Sequence, residues 1–275
     1  MSYHRILTIQ DISCIGQCSM TVALPILSAC GQETCILPTA VLSSHTGGFG
    51  KPTFRDLSED IAGIRSHWES ADISFDAILT GYLGNRRLIQ ETIGVCASQK
   101  KPGGFLIVDP AMADHGKLYT GFDDYYVYKM KEFCRLADIL IPNITEAAML
   151  TGMAYQETYN ESYIMELIRN LDVPCVVLTG VSYEPESTGV IVSDHGYISY
   201  YSHRKIGKSY HGTGDIFAAA FVGALMNDRT PTQAAKIAAD FTCICIEETY
   251  RNPAHWYGVK FEPMLPALMK TLRKE

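Results

Sequence analysis

The chain has 275 residues, a length that fits one large α/β domain or two small ones. Its 47% hydrophobic and 19% charged residues supply a real core and set it apart from disordered or fibrous chains. A net charge of −7, with no run of Lys and Arg longer than two, excludes the basic stripe of a nucleic-acid binder, and the longest apolar run, 216–226, is far short of the roughly 20 residues of a membrane span.

In chain order the predicted elements alternate. Apolar β-type runs lie at 6–10, 35–38, 77–80, 105–109, 139–141 and 175–179, and helical patterns at 19–29, 57–68, 86–98, 124–136 and 161–170. Most of the β runs are continuously apolar, as strands covered on both faces are. Residues 189–193 and 197–202, joined by Asp194-His195-Gly196, predict a hairpin at the sheet edge. Helical patterns return at 213–227, 232–250 and 262–272. The expected fold is a three-layer α/β/α sandwich with a mostly parallel central sheet and a small edge hairpin, all in one domain over residues 1–275.

Nine cysteines, an odd number without a CxxC pair, read as reduced thiols of a cytoplasmic protein. The N-terminus lacks the basic-then-apolar order of a signal peptide, so no leader is expected.

The β runs end in polar or glycine residues: Gln10-Asp11, Thr80-Gly81-Tyr82, Asp109-Pro110, Pro142-Asn143 and Thr179-Gly180. In an open α/β sheet, ligands bind beyond the carboxyl ends of the strands, so these ends point to one shared site. Gly212-Thr213-Gly214-Asp215 opens a helical run, where free N–H groups and the helix dipole favour an anion. A carboxylate beside bound phosphate is repulsive unless it has a task, and for Asp215 that task is taking a proton from an attacking hydroxyl. Asn143 and Glu146, three apart at a helix start, either hold the water shell of Mg²⁺ or form a capping pair. Asp109 and Asp114 add oxygen ligands for the cation. Gly207-Lys208-Ser209 and Thr46-Gly47-Gly48-Phe49-Gly50 imitate nucleotide loops, but both lack the spacing and read as ordinary loops.

Gly212-Thr213-Gly214-Asp215, Asn143 with Glu146, and Asp109-Pro110 together resemble the ribokinase superfamily. Ile9-Gln10, Ser44-His45-Thr46, Thr80-Gly81-Tyr82-Leu83-Gly84 and Asp109-Pro110-Ala111-Met112-Ala113-Asp114, with Tyr119 after it, narrow the resemblance to its pyridoxal kinase family, from about residue 5 to 225. That resemblance implies phosphorylation by ATP of the 5′-hydroxyl of pyridoxal, pyridoxine or pyridoxamine. Asp215 would be the base, and Gly212, Thr213 and Gly214 the anion hole. Asp11, Ser44, His45, Thr46, Tyr82 and Tyr119 would meet the vitamer. Asp109, Asn143, Glu146 and Thr179 would serve ATP, with Asp109, Asp114 and Glu146 at Mg²⁺ and a monovalent cation as a further candidate. Residues 46–53 would close over the site, and the protein would be a homodimer. Asp11 departs from the family, which often has Ser there, as do Leu42, for an aromatic, and Ile141, for a Thr. Other readings are a hydroxymethylpyrimidine kinase and a non-catalytic protein that binds pyridoxal phosphate or a nucleotide.

Overall fold

The computed structural model describes residues 3–207 and 210–273. Lys208 and Ser209, part of the P-loop imitation, therefore lie outside the described residues. The chain runs β1 (Arg5–Ser13), α1 (Met20–Ala29), β2 (Glu33–Leu42), β3 (Phe54–Asp56), α2 (Ile61–Ser70), β4 (Phe75–Thr80), α3 (Arg86–Gln99) and β5 (Lys100–Val108). It continues through β6 (Ala113–Asp114), β7 (Lys117–Leu118), α4 (Asp124–Cys134), β8 (Ile139–Leu140), α5 (Ile144–Thr151), α6 (Glu161–Leu171) and β9 (Cys175–Val181). Strands β10 (Ser187–Asp194) and β11 (Tyr197–Arg204) precede α7 (Thr213–Leu225), α8 (Pro231–Tyr250) and α9 (Leu265–Arg273).

Among the described residues nine strands form one sheet in the order β11-β10-β9-β8-β5-β4-β1-β2-β3. The six from β9 to β2 are parallel, and β3, β10 and β11 are antiparallel additions at the edges. The expected sandwich and hairpin are both present. The hairpin turns on His195 (φ 47°) and Gly196 (φ 86°), two consecutive positive angles that match the twist of a two-residue turn. β3 and the small β6–β7 pair were not anticipated.

Alternation along each strand splits the core in two. Ile6, Ala77, Leu79, Ile107, Ile139 and Val177 pack under α1, α7 and α8. Leu7, Ile9, Ile78, Leu106, Val108, Leu140 and Leu178 face the other way, against α2 to α6. This double covering explains why the strands read as continuous apolar runs. From β1 the chain steps out to β2, then returns to place β4 on the other side of β1. The sheet order reverses there, and the crevice at such a reversal is where open α/β sheets bind ligands.

Candidate active site

The carboxyl ends of β1, β4, β5, β8 and β9 bring Asp11, Tyr82, Asp109, Asn143 and Thr179 to the same edge as the start of α7. Gly212 is the N-cap of α7, with φ 84° and no side-chain cap, so the helix's first N–H groups are left for another acceptor. A Cβ on Gly212 would lie 2.2 Å from the Gln17 carbonyl oxygen, so both conformation and space demand glycine. Around Gly214 a Cβ would meet nothing within 4 Å, which leaves the turn open on its outer side.

Asp215 sits in the first turn of α7, half-buried. Loss of water raises its carboxyl to about 6, the Ser19 N–H pulls the other way, and the charge of Asp11 pushes it up. Asp11 is 5% exposed at a place where β1 shifts register against β2 between Gln10 and Ile12. Such an irregularity re-aims a side chain, and it falls here beside the site. Ser13 Oγ donates to Asp11 Oδ2 at 3.1 Å. Burial nevertheless raises the Asp11 carboxyl, against hydroxyls of Ser19 and Ser13 and the nearby His45.

Asn143 and Glu146 form a capping box. Asn143 Oδ1 accepts from the Glu146 N–H at 2.9 Å, and Glu146 Oε2 accepts from the Asn143 N–H at 2.9 Å. Glu146 Oε1 also accepts from the Met112 N–H at 3.1 Å, and Asn143 Nδ2 donates to the Ala113 carbonyl at 2.8 Å. Of the two sequence-level readings of this pair, the capping pair is thus realised. It also ties α5 to the segment that carries Asp109. Burial pushes Glu146 up to about 8 despite its N–H donors. Asp109 rises well above the usual carboxylate range through burial, with Glu146 and then Asp215 adding charge. The phenol of Tyr119 is raised by burial and by Glu146, Asp109, Asp114 and Asp215.

Among the described residues no Lys or Arg forms an ion pair with Asp11, Asp109, Glu146 or Asp215. A group of mutually repelling, poorly hydrated carboxylates fits a cation that arrives with its own water and phosphate ligands. Of the trio expected at the cation, Asp114 adds to the rise of Glu146, and all three act on the Tyr119 phenol. Among the described residues no three His, Cys, Asp or Glu converge enough to hold a metal by themselves. Asp114 is exposed on β6, where its Oδ1 accepts from the His115 N–H at 2.8 Å. Thr179 lies beside Asn143 in a parallel bridge and turns its hydroxyl to the Pro142 carbonyl at 3.3 Å.

Near Asp11, Tyr82 stacks on Phe122 at 5.5 Å between centroids, and Phe122 on Tyr126 at 3.8 Å. Burial raises the Tyr82 phenol, with Asp11 adding to it. Ser44 is buried, His45 half-buried and Thr46 exposed. The His45 and His211 rings lie 4.8 Å apart. Burial and His211 lower the His45 imidazole, which favours the neutral ring. Gly47 fits between them, since its Cβ would fall 2.9 Å from His211 Nε2.

Sequence reasoning missed several neighbours. Phe122 supports Tyr82, and Ser19 approaches both Asp11 and Asp215. Phe49 of the glycine loop packs on Trp256 at 4.7 Å and Tyr257 at 5.2 Å. A helix-flanking Ser and a Phe among glycines were the available signals, but their partners are remote in sequence.

Residues 26–259 match the family described as phosphomethylpyrimidine kinase. The solved pyridoxal kinase of Lactobacillus plantarum is similar at 32% identity with a TM-score of 0.90, over 98% of this chain and 97% of that one. The pyridoxal kinase of Dictyostelium discoideum is 24% identical over 82% of this chain and 80% of its own length. The hydroxymethylpyrimidine/phosphomethylpyrimidine kinase of Bacillus subtilis is 25% identical over 90% of this chain and 91% of its own length. The fold, the turn at Gly212 and these similarities converge: the chain is a kinase and belongs to the phosphomethylpyrimidine kinase family, whose ribokinase-like fold it shares with pyridoxal kinases.

Proposed function

We propose that the chain acts as one catalytic unit that transfers the γ-phosphoryl group of ATP to the 5′-hydroxyl of a B6 vitamer. The observation that carries this is the open glycine turn of α7 with Asp215 beside it, next to an aromatic shelf at Tyr82. Phosphoryl transfer needs positioning and charge neutralisation more than covalent help. The N–H groups of Gly212, Thr213 and Gly214 receive the equatorial oxygens of the moving group. Asp215 takes the proton of the acceptor hydroxyl as its oxygen bonds to the γ-phosphorus and the bond to the leaving oxygen of ADP breaks.

Tyr82 offers a face to a flat heteroaromatic ring, and Ser44, His45, Thr46 and Tyr119 surround the ring substituents. Asp11 suits a cationic amine or a protonated ring nitrogen. Asp109 and Glu146 would hold Mg²⁺ through its waters, and the ion would neutralise charge on the phosphates. Asn143 and Thr179 lie on the nucleotide side, and residues 46–53 exclude water when closed. The nine unpaired cysteines fit a reducing cytoplasm. The resemblance supports a homodimer, which sedimentation velocity tests.

A hydroxymethylpyrimidine acceptor is the second reading, favoured by the family description and by the Bacillus subtilis relative. A coupled ADP-release assay across pyridoxal, pyridoxine, pyridoxamine and hydroxymethylpyrimidine decides between them. The highest kcat/KM is expected on a B6 vitamer. Preference for the pyrimidine would replace the first reading with the second, and turnover of none would overturn both.

A further inference from the structure

The loop between β1 and α1 carries three positive φ angles: Gly16 at 141°, Gln17 at 50° and Ser19 at 51°. A non-glycine residue in that region is uncommon and persists where its surroundings hold it. Gln17 is held by its side chain. Its Nε2 donates to Glu262 Oε1 at 2.9 Å and Oε2 at 3.1 Å, and its Oε1 lies 3.1 Å from His255 Nε2. Gly258 closes the grip, since a Cβ there would fall 2.6 Å from Gln17 Cβ and 2.7 Å from the Gly16 carbonyl. The backbone carbonyl of the same Gln17 lies alongside Gly212, 2.2 Å from where a Cβ would stand. One residue therefore joins the segment after α8 to the glycine turn.

We propose that Gln17 is a positioning residue for phosphoryl transfer: Glu262 and His255 hold its side chain, and its carbonyl braces Gly212 so that the N–H groups of the turn point at the transferring group. This rests on the kinase reading above. Gln17 touches no substrate and acts through Gly212. The turn's N–H groups matter most in the transition state, so loosening them lowers kcat more than it changes either KM.

Gln17→Glu places a carboxylate against Glu262 and removes the donor. The double variant Q17E/E262Q reverses the pair, with an amide at position 262 now donating to a carboxylate at position 17. Two readouts are used: steady-state kinetics with ATP and pyridoxal, and amide hydrogen exchange of residues 212–215. We expect Q17E to lower kcat about tenfold, because small misplacements of catalytic groups cost that much or more. Both KM values stay within about twofold, exchange at 212–215 quickens, and the double variant recovers kcat and exchange. Unchanged kcat and exchange in Q17E would overturn the proposal. So would a double variant that regains thermal stability without regaining kcat, because the role would then be structural. If the wild type phosphorylates no B6 vitamer, the function reading fails on its own, and exchange at 212–215 still decides whether Gln17 braces the turn.

Discussion

Asp215→Asn separates catalysis from binding and stability. The substitution keeps shape and an oxygen acceptor for the Ser19 N–H, but removes the charge and the proton acceptor. A positioned general base contributes about 10²–10⁴-fold, so kcat should fall by that factor with both KM values nearly unchanged. Stability should move the other way. Burial and Asp11 raise this carboxyl from 3.8 to about 6, a difference worth about 3 kcal/mol at roughly 1.4 kcal/mol per pKa unit. Asp215 keeps partial contact with water, which cuts the figure to about 1–2 kcal/mol. For a chain of this size that raises Tm by about 2–6 °C near pH 8. Steady-state kinetics and a thermal melt of the same preparation read both effects. A kcat within about fivefold of wild type would refute the base assignment, and a lowered Tm would refute the argument that the ionised carboxylate is strained.

Asp11→Ser removes the charge facing the acceptor and should lower kcat/KM for pyridoxamine relative to pyridoxine and pyridoxal; identical ratios among the three vitamers before and after would sink the assignment. Gly212→Ala meets both a left-handed backbone and the Gln17 carbonyl, so urea unfolding should show a loss of about 1–3 kcal/mol together with a fall in kcat, and a stable, active variant would contradict the anion-turn geometry. Glu146 is raised from 4.5 to about 8, so the native state binds its proton more tightly than the unfolded chain and this group's contribution to stability declines as pH climbs from about 4.5 to 8. Mg²⁺ with ADP should therefore raise Tm more at pH 8 than at pH 6 in a thermal-shift series, and an equal or larger shift at pH 6 would argue against a carboxylate-held ion.

The sheet was legible because burial on both faces leaves continuous apolar runs, and the polar ends of those runs located the crevice. The hairpin was legible from Asp194-His195-Gly196, since Gly196 tolerates the positive φ that the turn requires. Strand β3 was not: it has three residues and pairs only with Ala40 to Leu42, too short a run to show a period. Spacing puts Asn143 and Glu146 on one helix face but does not show that backbone N–H groups donate to both carboxylate oxygens of Glu146. Asp114, close to Asp109 in sequence, is carried by the β6–β7 turn to an exposed place from which its charge still reaches Glu146. Gln17 and Phe122 are not legible in the sequence because their partners, Gly212 and Tyr82, lie far along the chain.

Phosphorus NMR of the products formed from ATP and pyridoxal tests the central claim most directly. A monophosphate ester on the 5′-oxygen of pyridoxal is expected, in an amount equal to the ADP released. ADP accompanied by inorganic phosphate alone, or ester formed with hydroxymethylpyrimidine and none with any B6 vitamer, would contradict it.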